Sequence, residues 1–237
     1  MQPVVHAVDA SQWASSATAS TEYAGYPARN TVGAPNADGC KSPNGVWIPL
    51  SMGSSESLTV TFSKSVKPKR IDVFQNNYKN AISKIEVSSD GKSWEQVYTG
   101  DLSKGAKGSC KASAHYDDIL SAPVSDISGY ISQVKISFDH SVIGNFVQID
   151  AVKLTGTLAP TQLKKGKKLT YAAAANAADI NVSAKSTIVI TSSSAACVVD
   201  NKAKVVTGNK VGVCLLRVSV TTASGSKTTK SLDVSVQ

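Results

Sequence analysis

Apolar and polar residues alternate with a period of two in run after run of this 237-residue chain. The clearest runs are Leu58–Phe62 (LTVTF), Arg70–Phe74 (RIDVF), Lys84–Ser88 (KIEVS), Gln133–Ser137 (QVKIS) and Phe146–Asp150 (FVQID). A strand sends successive side chains to opposite faces, so each run predicts a strand with one face in a core and one outside. Asp90-Gly91, set between Val87 and Trp94, predicts a hairpin turn. No stretch of about eleven residues keeps the spacing of an amphipathic helix. The predicted fold class is all-β.

A second set of runs begins after Thr157-Leu158-Ala159-Pro160, where proline and a change in charge balance mark a short linker. It comprises Asp179–Ile190, Cys197–Val199, Lys204–Val206, Val213–Val220 and Leu232–Val236, a spacing that suits a small sandwich. The expected domains are residues 1–157 and 158–237, two β-sandwiches in tandem. Gly100–Ser128 is the least patterned part of the first, a long polar connection that holds Cys110 and His115-Tyr116-Asp117-Asp118. Long loops on sandwiches are functional or disordered, and the cysteine argues that this one is pinned.

Composition narrows the picture. Charged residues are 18% and aromatics 6% of the chain, with Ser, Thr, Ala and Val abundant and Leu scarce, unlike coiled coils and helix bundles. The longest apolar stretches, such as Ile188–Ile190 and Val211–Leu216, fall far below the roughly 20 residues of a membrane-spanning helix, so membrane insertion is not expected. The net charge of +8 is unevenly placed: 14 Lys/Arg balance 14 Asp/Glu through Leu158, and 11 Lys/Arg face only Asp179, Asp200 and Asp233 afterwards. A basic module can approach a polyanion. The lysines here are scattered without interleaved aromatics, which favours a solvated face over specific nucleic-acid binding.

Four cysteines, two on each side of the linker, point to one disulfide per domain, Cys40 with Cys110 and Cys197 with Cys214, although three connectivities are formally open. No CxxC supports a zinc or thioredoxin-like site. Met1-Gln2-Pro3-Val4 lacks a signal peptide's basic start and apolar run. An export signal already removed, with Met1 added, is expected; a protein that leaves its cell another way, such as a virion component, is the alternative. Either way the chain reads as extracellular.

Catalytic motifs are sparse. Gly91-Lys92-Ser93 looks like the end of a phosphate-binding loop, but Glu86 stands where that motif needs glycine. Neither GxSxG nor HExxH occurs, and His6, His115 and His140 form no spaced ligand pair. Asn181-Val182-Ser183 is a glycosylation sequon, relevant only where the source glycosylates.

Three stretches carry a family likeness: Trp13–Ser20 with Val32–Asn36 and Trp47-Ile48-Pro49; Glu56–Phe62, Val66–Val73 and Ala81–Trp94; and the closing Gln148–Gly156. In order and spacing, residues 4–157 resemble the discoidin (coagulation factor 5/8 C-like) modules of the galactose-binding-like superfamily. The resemblance implies an eight-stranded jelly-roll β-sandwich that binds, commonly a sugar, through loops at one end. Many relatives hold a structural calcium near the first Asp-Gly turn and a carboxylate of the last strand, which would fall here to Asp38 and Asp150. Ala151, however, stands where relatives carry the glutamate, and a one-residue shift reverses the face. Residues 160–237 resemble a bacterial immunoglobulin-like repeat: a serine-rich strand, Thr191–Cys197, then a short strand, a turn and Cys214 in GVCLLRVSV.

Sugar recognition needs an aromatic face for the ring's C–H surface and planar polar groups for its hydroxyls. Three loops offer them: Tyr23, Tyr26 and Arg29; Asn76, Asn77, Tyr78 and Lys79; and His115 with Tyr116. Trp13, Trp47 and Trp94 sit in strand motifs and are expected to pack. The function expected is a non-enzymatic carbohydrate-binding or adhesion module of a bacterial surface protein, its partner a glycan or cell-surface polymer. The alternative is a structural subunit of a surface layer, appendage or virion that self-associates through its sandwiches. An accessory piece of a larger enzyme is a third reading.

Overall fold

The computed structural model describes residues 9–38, 44–51, 56–77, 81–104, 118–139, 146–178 and 180–237. It is all-β, as the alternation predicts, and divides into two compact units, Asp9–Leu158 and Ala159–Gln237.

The first unit contains β1 (Asp9–Trp13), β2 (Ser16–Ala19), β3 (Glu56–Asn77), β4 (Ile82–Ser88), β5 (Glu95–Thr99), β6 (Asp118–Pro123), β7 (Ile131–Phe138) and β8 (Gln148–Leu158). All its strand pairings are antiparallel, in the order β1-β8-β3-β7-β4-β5 with β2 and β6 added along β3. The runs Leu58–Phe62 and Arg70–Phe74 are not separate strands. They are the two halves of the 22-residue β3, whose register shifts between Thr61 and Val66. Its first half pairs with β2 and β7, its second with β6 and β8. One strand thus passes between two layers, because polar Ser63-Lys64-Ser65 bends without ending the extended backbone.

Between the layers lie Leu58, Val60, Ile71, Val73, Ile85, Ile136, Ile149 and Leu154, all fully buried. Trp47 is 0% exposed. It exchanges backbone hydrogen bonds with Ile149, 2.8 and 3.1 Å, and its indole N–H donates to the Thr21 carbonyl at 3.0 Å, tying the excursion between β2 and β3 to β8. Trp13 and Trp94 are half-buried: Trp13 packs on Phe74 with the Lys153 ammonium over it, and the Lys135 ammonium stands 4.6 Å from the Trp94 ring centroid. The Asp90-Gly91 turn joins β4 to β5. Gly91 sits at φ +72°, and the Asp90 carboxylate accepts the N–H groups of Lys92 and Ser93 at 2.8 and 2.9 Å.

The segment Gly100–Ser128 is not one polar connection, since it contains β6. Leu120 and Ala122 turn inward against β3 while Ile119 is 38% exposed, an alternation obscured by the Asp, Ser and Pro between and around them.

The second unit contains β9 (Thr161–Leu163), β10 (Lys168–Thr170), α1 (Tyr171–Ala177), β11 (Thr187–Ser192), β12 (Cys197–Asp200), β13 (Val205–Gly208), β14 (Gly212–Thr221) and β15 (Lys227–Val236). It has one sheet of three strands, β10-β13-β12, and one of four, β11-β14-β15-β9. Ile190, Val206, Leu216, Val218 and Val234 fill the space between them. The disulfide Cys197–Cys214 forms and joins β12 of one sheet to β14 of the other. Cys40 and Cys110 lie outside the described residues.

The run read as a strand over Asp179–Ile190 begins only at Thr187. Ahead of it stands α1, which period-2 reading overlooked: alanine is the best helix former, Thr170 caps the helix by accepting the Ala173 N–H at 3.2 Å, and Tyr171, Ala174 and Ala175 turn inward.

Candidate functional site

The register brings the strand ends of the first unit to two opposite ends. At one end, Ala19 of β2 lies by Leu58, Glu56 and Ile82 both oppose Phe138, Lys84 opposes Thr99, Gln75 opposes Asp118, and Asn77 opposes Gln148. The connections between β2 and β3, β3 and β4, β5 and β6, and β7 and β8 therefore all spring from this end. Of the described nominated residues, Tyr23, Tyr26 and Arg29 belong to the first of these connections, and Asn76 and Asn77 end β3 where the second begins.

There the ends of β3, β4, β5 and β6 enclose a pocket of about 110 Å³. Its apolar wall is Ile82, Ile119 and Leu120, and its polar groups are Gln75, Tyr98, Asp101 and Asp118. Gly100 lets β5 turn toward it, since a Cβ there would lie 1.8 Å from the Ile82 carbonyl oxygen. The Asp101 carboxylate accepts the backbone N–H and hydroxyl of Ser103. Gln75 is 2% exposed, and its side-chain oxygen is buried with no hydrogen-bond partner. A buried acceptor left unmatched costs about 1–3 kcal/mol.

The nominated residues fare differently. Asn77 ends β3 at the pocket end, opposite Gln148. Asn76 is fully buried and is not a surface contact; the amide lining the pocket is its neighbour Gln75. The register of β3 against β8 slips on both sides of Gln75, and such bulges re-aim side chains. Tyr23 is 45% exposed and packs on Tyr26 and Phe146, with ring centroids 6.2 and 5.9 Å apart. Tyr26 is half-buried against Ala37, Val46 and Ile48, and Arg29 is exposed on a short helical turn, Ala28–Thr31. None of these three lines the pocket. Tyr78, Lys79, His115 and Tyr116 lie outside the described residues.

Sequence reasoning missed Gln75, Tyr98, Asp101 and Asp118. A signal for Gln75 was present: it continues the core-facing phase of Ile71 and Val73, where an amide is out of place unless it has work to do.

The base of the same end is tied by Glu56. This buried carboxylate accepts the hydroxyls of Ser20 and Thr21 on Oε2, at 2.5 and 2.7 Å, and that of Ser51 on Oε1 at 2.8 Å. On the outer sheet face, Glu86 bridges Lys84 and Lys135, each at 3.0 Å. Burial works against its charge, but the two lysines outweigh that and hold the carboxyl below its usual range.

The calcium pair fits poorly. Asp38 accepts the backbone N–H of Asn44 on Oδ1 at 2.7 Å and its side-chain N–H on Oδ2 at 2.8 Å, and Asp150 accepts the Asn36 N–H at 2.9 Å. The Asn44 hydrogen bonds hold the Asp38 carboxyl below its ordinary range. Calcium takes six to eight oxygens, yet among the described residues no three His, Cys, Asp or Glu side chains gather. Both carboxylates serve as acceptors that fasten loop backbone.

These features define an all-β chain with a small, partly polar pocket at one end of its larger sandwich. The chain belongs to the family described as Pappalysin-1, SD scarf domain, C-terminal, whose model matches residues 6–165. No match was found among curated proteins. Solved structures similar to it include chitosan-binding module 1 of a chitosanase/glucanase from Paenibacillus sp. IK-5, at 18% identity over 60% of this chain and 95% of that one, TM-score 0.41. Two are from Clostridium perfringens. CpGH89CBM32-4, in complex with glcNAc-alpha-1,4-galactose, shows 13% identity over 61% and 95%, TM-score 0.43. The family 32 CBM of NanJ, in complex with galactose, shows 16% identity over 62% and 99%, TM-score 0.40.

Proposed function

We propose that the chain is an extracellular carbohydrate-binding module whose site is the pocket between Gln75, Tyr98, Asp101 and Asp118. The unpartnered buried oxygen of Gln75 is the observation that supports this most directly. A sugar hydroxyl donates to it and offsets its desolvation, the carboxylates of Asp101 and Asp118 take further hydroxyls, and Ile82, Ile119 and Tyr98 meet the ring's C–H surface. A pocket of about 110 Å³ takes part of one sugar ring rather than a buried oligosaccharide. Single-site affinity is accordingly weak, with Kd on the order of 0.1–10 mM, and useful strength comes from repetition.

The first unit is read as a discoidin-like jelly roll and the second as a bacterial immunoglobulin-like domain that serves as a spacer. The disulfide between Cys197 and Cys214 supports an oxidising, extracellular setting. Binding without catalysis, in an adhesive surface protein, is the role that suits such a site.

The test is a titration of the whole chain with galactose, N-acetylgalactosamine and glucosamine, followed through backbone amide shifts. Saturable shifts at Gln75, Ile82, Tyr98 and Asp118–Leu120, weakened at least threefold by Asp118→Asn, support the reading. No saturable shift with any sugar, or shifts confined to the opposite end of the sandwich, overturns it.

A further inference from the structure

The second unit has an open seam. β10 and β11 each form one edge of its two sheets. Beside them, at the first turn of α1, runs an open groove of about 560 Å³ floored by Tyr171, Ala172, Ile188 and Val205. Ile188 follows the inward phase of the fully buried Ile190, so the groove exposes the margin of the core itself. Among the described residues, the six residues of β11 pair with β14 on one side only. The groove runs along the start of its other edge, at Thr187 and Ile188, where unpaired backbone N–H and C=O groups can take an extended segment.

The rim is cationic. Lys204 lines the groove with its ammonium 5.5 Å from the Tyr171 ring centroid. Lys185 stands two residues before β11, Lys168 begins β10, and Lys202 lies in the turn before β13; all are exposed. Among the described residues, none of these four lysines takes part in an ion pair. Asp200, whose charge adds to burial in raising the Tyr171 phenol's pKa, has its Oδ1 turned to the N–H groups of Lys202 and Ala203. Lys204 also sits at φ +57°, where glycine is at ease and other residues lose about 1–2 kcal/mol. The chain therefore carries a cation at the groove mouth at a conformational cost.

We propose that this groove is a docking site for an extended, acidic segment of a partner polypeptide. The segment adds to the free edge of β11, seats an apolar side chain against Tyr171, Ile188 and Val205, and sets alternate carboxylates against Lys185 and Lys204. A second copy of this unit is the wrong occupant, because 11 Lys/Arg against 3 Asp make like units repel.

Fluorescein-labelled nine-residue peptides added to the whole chain test this: one alternating Val and Glu, one alternating Val and Lys, and a Val/Glu peptide carrying two prolines. The Val/Glu peptide is expected to bind saturably, shift the amides of Thr187–Ser192 and Tyr171, and weaken with salt. Lys204→Gly, which suits the backbone at that position, and Lys185→Glu should each weaken it about three- to tenfold. The proline peptide should lose binding because it cannot complete the strand pairing. Equal binding of the Val/Lys peptide, no saturation by the Val/Glu peptide, or a sulfated oligosaccharide that binds as tightly without moving β11 overturns the proposal.

Discussion

Removing the Glu56 carboxylate should loosen the end of the first unit that carries the pocket. Oε2 accepts two hydroxyls, from Ser20 and Thr21, and Oε1 one, from Ser51. Hydrogen bonds to a charged group contribute about 1.5–3 kcal/mol when buried. These three are part-buried and their donors rehydrate on loss, so about 1 kcal/mol each is a fair allowance, and Glu56→Ala should cost about 3 kcal/mol. Glu56→Gln keeps an acceptor oxygen where two donors converge, while its amide N–H donates to the Ser51 hydroxyl, so it should cost only about 1 kcal/mol. Thr21 extends the chain of bonds, since its own oxygen accepts the Leu50 N–H at 2.9 Å. Glu56→Ala and Thr21→Ala should therefore be non-additive, coupled by about 1 kcal/mol. Urea unfolding read by tryptophan fluorescence is the assay, because Trp13, Trp47 and Trp94 all lie in the first unit. With a slope near 2 kcal/mol/M, the Glu56→Ala midpoint should fall by about 1.5 M. A loss below about 0.5 kcal/mol, or equal losses for the two Glu56 variants, would refute the hydrogen-bond account.

Other outcomes are equally specific. Cys197→Ser should destabilise the second unit by about 3 kcal/mol through the 17-residue separation it no longer closes, read by amide exchange on β12 and β14; unchanged exchange there would remove the disulfide from the account. Asp90 is held at about 2, below the ordinary 3.8, chiefly by the N–H groups of Ser93 and Lys92. A depressed folded pKa favours the folded state above the unfolded value and loses that advantage as pH falls from 3.8 toward 2. Asp90→Asn should flatten the thermal midpoint over that interval, and an unaltered pH profile would show the turn to be unimportant. Removing calcium with EDTA should leave the thermal midpoint of the first unit unchanged, because Asp38 and Asp150 already hold loop backbone; a drop of several degrees would restore the metal reading.

Much of the fold was legible because period-2 alternation is a direct image of a half-buried sheet. β4, β7 and β14 fall where the pattern put them. What escaped was continuity and local propensity. β3 reads as two strands because Ser63-Lys64-Ser65 breaks the alternation but not the extended backbone. α1 hides because an alanine-rich turn has no contrast between faces, and propensity plus a threonine cap decide it. At the site, the strands that bound the nominated loops end where the candidate pocket lies, but none of the described nominated residues lines it. Sequence chemistry nominated Asn76 rather than Gln75 even though Gln75 continues the core-facing phase of Ile71 and Val73; the bulge beside it is a tertiary feature that alternation does not show. Asp101, Asp118 and Tyr98 meet only through the pairing of β3 with β6 and β4 with β5, which spacing along the chain does not encode.

A crystal of the whole chain soaked with galactose, N-acetylgalactosamine and glucosamine tests the central claim most directly. The account predicts sugar density with a hydroxyl within hydrogen-bond distance of the Gln75 amide oxygen and a ring edge against Ile82 and Tyr98. Density elsewhere on the first unit with this pocket empty, or none at saturating sugar, would contradict it.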